Sequence, residues 1–190
     1  DTATTEIYTL SLHDALPIFQ ADGLEQIRAG AVDFGVLIDP LAREGLTIAP
    51  LATDPFCFVC RRDHPLANAD SVPWRALHGE RLVLLDFASG SRPLIDRILA
   101  RHGVAPQVVQ ELGHSASVFG MVEAGIGASV LPSFSLPLPE ASPLVSRPLT
   151  PREERSIVMV RREDRSLSPA AAAVWHMVQT MPIPSEAVAV

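Results

Sequence analysis

Lysine is missing from this chain: all 15 basic residues among its 190 are arginine. A Walker A phosphate loop, a pyridoxal Schiff base, a Ser-x-x-Lys acylase and a lysine-dependent kinase each need a side-chain amine, so none of these chemistries is available. Positive charge is scarce overall, with a formal net charge of −7. Neutralising phosphates takes a basic face, so the chain itself is not expected to bind nucleic acid. Long apolar runs are missing as well: nothing approaches the ~18 consecutive apolar residues that a membrane-crossing helix needs. Only 19% of residues are charged while 47% are hydrophobic, which excludes a charge-driven linker and supplies a core for one large domain or two small lobes.

Cysteine is confined to Cys57 and Cys60, spaced as Cys-x-x-Cys. A redox pair or half of a zinc site would use that spacing. The run Phe56-Cys57-Phe58-Val59-Cys60 reads as a strand, however, and residues three apart on a strand point to opposite faces. No second cysteine pair and no His-x-x-x-His follows. The expectation is two small core residues in a reducing compartment, with no metal and no cofactor.

Residues 1–19 stand apart from the rest: they hold the only tyrosine, Tyr8, and no clean period of either helix or strand. The segment lacks the basic start of a secretory signal, and the string from Tyr8 to Ile18 resembles translated sequencing-adapter read-through. From Asp22 the pattern becomes orderly. Asp22 with Glu25 three residues on forms a capping-box pattern, Leu24, Ile27 and Ala31 follow at helical spacing, and Gly30 stops the helix. Val32, Phe34, Val36 and Ile38 then alternate in a strand expected to be largely buried, ended by Asp39-Pro40. A run at residues 46–51 is broken by Pro50, and Asp54-Pro55 introduces a separate apolar strand at 56–60.

After the turn around Pro65 and a short amphipathic stretch at Val72, Trp74 and Leu77, the chain alternates strand and helix. A strand at 81–85 meets a turn at 86–91, a helix with Pro93 in its first turn and Gly103 as stop, and a strand at 107–112. The turn Gly113-His114-Ser115, a helix over 117–124, Gly125 and a strand at 128–131 repeat the unit. Such alternation argues an open α/β sheet whose ligands sit at the carboxyl ends of strands, in the turns before helices. Six prolines between Pro132 and Pro151 predict an extended, looping crossing there. A strand at 155–161 and a last helix opened by Ser168-Pro169 close the reading, with a frayed tail at 183–190.

Taken together, several segments resemble the effector-binding domain of LysR-type transcriptional regulators. The string from Gly30 to Val36 is similar to the family's Gly-x-x-Asp-hydrophobic strand, and Arg62-Asp63-His64-Pro65-Leu66-Ala67 to its "dHPLA" turn. The passage from Met121 to Pro132 resembles its helix-to-strand segment, and Ser168-Pro169-Ala170 its last helix. The resemblance spans residues 20–182. It implies a type 2 periplasmic-binding-protein-like α/β fold with mixed sheets, in two lobes joined by two crossing strands. Lobe one would comprise 20–60 and 155–182, and lobe two 61–147. The family's amino-terminal winged helix-turn-helix and the opening strand and helix of lobe one have no counterpart in residues 1–19.

The resemblance also implies a small organic anion, a carboxylate, bound between the lobes against helix amino termini, where free N–H groups and the dipole favour negative charge. Ser89, Gly90, Ser91 and Arg92 open one such helix, and Ser115 with Ser117 the other. These serines serve equally as N-caps, Arg92 equally as a surface charge, and Phe87 either walls the cleft or packs in the core. His114-Ser115 does not read as a hydrolase pair, because there is no Gly-x-Ser-x-Gly elbow and no third member. The expected function is a cytoplasmic ligand-sensing domain, a homodimer or tetramer without membrane contact, acting on DNA only through an amino-terminal domain. An exported solute-binding protein of the same fold and an α/β enzyme are the alternatives. Sequencing across the start of the locus tests the origin of residues 1–19: genomic codons that diverge from this string before residue 20 are expected, and identical codons would show the segment to be native.

Overall fold

The computed structural model describes residues 20–136, 138 and 142–181, so the segment 1–19 and the tail 183–190 lie outside the described residues. Helix α1 (Gln20–Ala29) is stopped by Gly30 at φ 72°, a left-handed turn that glycine adopts without a Cβ penalty. It begins earlier than the capping-box reading placed it: Asp22 lies in the first turn, where its charge meets the helix dipole, rather than at the cap. Ile27, 1% exposed, lays α1 onto strand β1 (Phe34–Ile38). The approach is close at Gly35, where an added Cβ would come 3.1 Å from Ile27 Cδ1 and displace that side chain by a few tenths of an ångström.

The largest departure from the sequence reading is β2 (Leu46–Arg61), one strand of 16 residues where two were expected. Pro50 does not end it. It is exposed, at a register irregularity between Pro50 and Ala52, where β2 pairs on one side only and a missing N–H costs no ladder bond. Strand β1 is less buried than expected, with only Leu37 fully inside, because it is an edge strand.

The remaining elements are β3 (Val72–Pro73), a single 3₁₀ turn at Trp74–Leu77, β4 (Arg81–Leu85), α2 (Arg92–Arg101), β5 (Gln107–Leu112), α3 (Ser115–Glu123), β6 (Ser129–Pro132), a 3₁₀ turn at Ser133–Ser135, β7 (Leu144–Thr150), β8 (Glu154–Arg162) and α4 (Pro169–Thr180). The main sheet runs β1-β8-β2-β7-β3, with β6 also on β2. All its pairings are antiparallel except β3 with β7, while β4 and β5 form a parallel pair tied to the start of β6 by a bridge between Leu82 and Ala128. The architecture is therefore an α/β fold with mixed sheets. The proline-rich crossing contains β7, which the proline count concealed: Pro148 sits exposed within it, opposite Cys57.

Strand alternation divides the core. Phe56, Phe58 and Cys60 enter one cluster with Trp74, Leu84, Ile95 and Val130, whereas Cys57 and Val59 enter a second with Val118, Val122 and Leu131. Each large side chain so buried contributes about 1.5–3 kcal/mol. A third cluster joins Ile27, Leu37, Leu46, Val158 and Val160. Both cysteines are free and buried on opposite faces, as the spacing predicts. Burial, with the Asp54 charge nearby, pushes the Cys57 thiol up to about 12, and burial pushes Cys60 up to about 11.

Two measurements check this packing. At pH 8 neither thiol should react with a disulfide reagent in the folded protein, and both should react in urea; rapid reaction of either in the native state would contradict the burial. A Cβ at Gly127 would lie 2.5 Å from the Arg81 carbonyl oxygen. Gly127→Ala should therefore cost about 2 kcal/mol in urea unfolding.

Candidate functional site

Strand β2 changes partners at its middle. Residues Leu46 to Pro55 pair with β8, and from Phe56 onward the partners are β6 and β7. Asp54 lies at this crossing, fully buried, opposite Arg155 of β8. A carboxylate there is tolerable only if every lone pair is met. Its Oδ2 accepts from Arg155 Nε at 2.8 Å and pairs with Nη2 at 2.7 Å. Its Oδ1 accepts from the Ser133 hydroxyl at 2.8 Å and the Phe134 backbone N–H at 2.9 Å.

Arg155 carries the chain of contacts further, donating from Nη1 to Ser91 Oγ at 2.7 Å. On the other side, the turn that holds Asp54 also holds Ser135, whose hydroxyl lies 3.2 Å from that of Ser115. A continuous polar line thus runs from the start of α2, through Ser91, Arg155, Asp54 and the 133–135 turn, to the start of α3. Neither helix spends a side chain on its own cap: Ser91 and His114 occupy the N-cap positions and make no capping bond. The N-cap role open to these serines in the sequence falls instead to Ser168, which accepts from Ala171 N–H at the head of α4.

The six residues expected from the sequence are distributed unevenly. Ser91 is completely buried behind Arg155, Ser89 Oγ accepts from the Ser91 N–H, Ser115 is half-buried, and Ser117 is exposed in the first turn of α3, which begins two residues before the expected start. Arg92 is 5% exposed and committed internally. It donates to Asp96 at 3.0 Å, to Glu111 at 2.7 Å and to the Leu85 carbonyl at 2.9 Å. Burial works against its charge, but the hydrogen bonds to Glu111 and Asp96 outweigh that and raise its pKa above the ordinary arginine value. Phe87 is 63% exposed and stacks on the Arg92 guanidinium, 4.4 Å from ring centroid to Cζ.

Asp54, Ser133 and Arg155 were invisible to the sequence reading. Asp54-Pro55 looked like a strand opener and Arg155 like a strand start, and only the antiparallel register of β2 on β8 brings the two together, 101 residues apart. Among the described residues the Ser115 hydroxyl pairs with Ser135 rather than with His114, so no base faces a nucleophile there. Two surface recesses, of about 500 and about 370 Å³, lie elsewhere, around Arg161 and Trp175 and around Arg28 and Arg162.

Asp54→Ala would strand Arg155, Ser133 and the Phe134 N–H at once. The expected loss is about 3 kcal/mol in urea unfolding, with a smaller loss for Asp54→Asn, which keeps an acceptor. Equal losses would mean that the charge, not the acceptor count, holds the crossing.

Comparison with known proteins bears on this geometry. Residues 18–182 match the family model of the LysR substrate binding domain. The HTH-type transcriptional regulator YfeR of Shigella flexneri is 54% identical over 156 residues, which are 82% of this chain and 51% of that protein. The chain thus spans about half the length of such relatives. The regulatory domain of CcmR from Synechocystis PCC6803, solved in complex with 2-PG, superposes with a TM-score of 0.75 at 23% identity, covering 82% of this chain and 76% of that one. The effector binding domain of QuiR, solved with shikimate, gives 0.73 at 20% identity, covering 82% and 74%.

Proposed function

The chain belongs to the LysR substrate-binding domain family, and from that premise we propose that it senses a small organic anion at the crossing of β2 and β8 and relays it to an attached DNA-binding domain. Membership in that family makes it the effector-binding domain of a LysR-type regulator, a type 2 periplasmic-binding-protein-like fold that senses ligand rather than an enzyme. The anionic character of the ligand, a carboxylate in particular, is our reading.

The observation that carries it is the convergence of two helix starts on one polar line. The first turns of α2 and α3 both meet the Asp54–Arg155 crossing, and neither is capped by a side chain. In α2 the Arg92 and Leu94 N–H groups already donate to the Ser89 and Ser91 carbonyls and Pro93 has none, so the first-turn N–H groups open to negative charge are those of α3. The proposed contacts are Ser115 and Ser117 on α3, Ser91 acting through Arg155, and Phe87 with Ser89 beside the start of α2. Arg92, already spent on Asp96 and Glu111, fixes that start in place. CcmR solved with 2-PG and QuiR solved with shikimate support a small ligand by analogy of fold.

On this reading lobe one spans residues 20–60 and 155–182 and lobe two 61–147, except that residues 56–60 pack into the clusters of lobe two, and β2 and the β7-to-β8 passage are the connections. Ligand shifts the balance of lobe arrangements, and the shift is transmitted to a winged helix-turn-helix that binds DNA. A side-by-side homodimer or tetramer in the cytoplasm completes the proposal. Among the described residues no helix is long and apolar enough to cross a membrane.

A thermal-shift screen of small carboxylates tests it: at least one should raise the melting temperature in a concentration-dependent way, and silence across a broad library would overturn the reading. Ser91→Ala and Ser117→Ala should each weaken binding of such a hit by about 0.5–1.5 kcal/mol with the fold intact by circular dichroism. Unchanged affinity would remove those residues from the site.

A further inference from the structure

We propose that Arg155 is the residue that grips the anionic group of the effector, and that Asp54 is the positioning residue that aims it. The inference rests on the ligand-sensing reading above and supplies the positive charge which that reading otherwise lacks. Two arginines touch the start of α2, and their surroundings differ. Arg92 faces two carboxylates, Asp96 and Glu111, gives Nη1 to the Leu85 carbonyl and carries the Phe87 ring on its face. Little of its charge or donor capacity remains for a ligand.

Among the described residues Arg155 pairs with one carboxylate only. Its Nε and one N–H of Nη2 meet Asp54, and one N–H of Nη1 meets Ser91. One N–H on each terminal nitrogen is left without a partner among the described residues, so two donors remain for the oxygens of a carboxylate or phosphate. The side chain is 16% exposed, whereas Asp54 behind it is at 0%. Ser91, buried and bonded to Nη1, can reach a ligand only through this guanidinium.

Asp54 holds the fork still. Its second oxygen is clamped by the Ser133 hydroxyl and the Phe134 N–H, so the carboxylate cannot rotate away and Arg155 keeps one rotamer without a ligand. A cation preorganised in this way spends no ordering entropy on binding. The bidentate geometry also predicts that lysine is a poor substitute, because an ammonium is a point charge.

The full chain should be titrated by calorimetry with benzoate, succinate and shikimate, and with benzamide and succinamide as uncharged counterparts. Arg155→Gln, Arg155→Lys and the double variant Asp54→Asn/Arg155→Gln are compared with the unaltered protein. The double variant removes the unpaired buried carboxylate that could unfold the single one. Expected are binding of at least one acid, no binding of its amide, a loss of about tenfold or more in affinity in both glutamine variants, and partial recovery with lysine. Acid binding that survives in a folded glutamine variant overturns the role of Arg155 and leaves the sensing function standing. Binding of amides as tight as acids overturns the anion grip. Silence from every compound overturns the anion grip, and silence across the broad carboxylate library overturns the sensing reading with it.

Discussion

Strand β2 must belong to two cores at once, and the rest of the molecule is arranged around that constraint. Its first part is half-exposed and leans on β8 and the small cluster under α1. Its last part is buried on both faces, with Phe58 and Val59 at 0% exposure into different clusters. A strand buried on both faces has no polar face left, so residues 56–60 are uniformly apolar, and helices must cover both sides. Helix α2 supplies Ile95, Ile98 and Leu99 to one, and α3 supplies Val118, Phe119 and Val122 to the other.

The handover between the two parts is where polar chemistry collects. Where β2 releases β8 and takes up β6 and β7, the ladder is interrupted and the backbone and side chains need other partners. The Phe56 N–H turns to the Glu153 carbonyl at 2.9 Å, and the Asp54 carboxylate gathers Arg155, Ser133 and Phe134. A buried ion pair contributes little net stability relative to a packed apolar pair. What it does contribute is geometry: one arginine, held at one angle, between the starts of two helices. The proposed sensing role would use that fixed geometry more than added stability.

Much of the plan was legible because it rests on local signals. The 3.6-residue period of α2, the proline at the head of α4 with Ser168 before it, and the opposite faces of Cys57 and Cys60 all follow from spacing along a few residues. The misreadings share a cause. Pro50 argued for a break and the prolines of 132–151 for a looping crossing, yet Pro50 and Pro148 both sit exposed inside strands. Whether a proline breaks a strand depends on whether a neighbour needs that N–H, and the neighbour comes from far along the chain. The same holds for the serines: Ser91 looked like a cap, but its oxygen was claimed by an arginine 64 residues away.

The sequence by itself determined the class of fold, the family and the exclusion of amine-dependent chemistry, because composition, period and short motifs are properties of neighbours along the chain. It also placed the candidate site near the starts of two helices. Only the tertiary structure decided which partners the arginines beside those starts meet. Arg92 and Arg155 are indistinguishable as letters. Arg92 meets two carboxylates, of α2 and β5, whereas the antiparallel register of β2 on β8 sets Arg155 against the single carboxylate of Asp54.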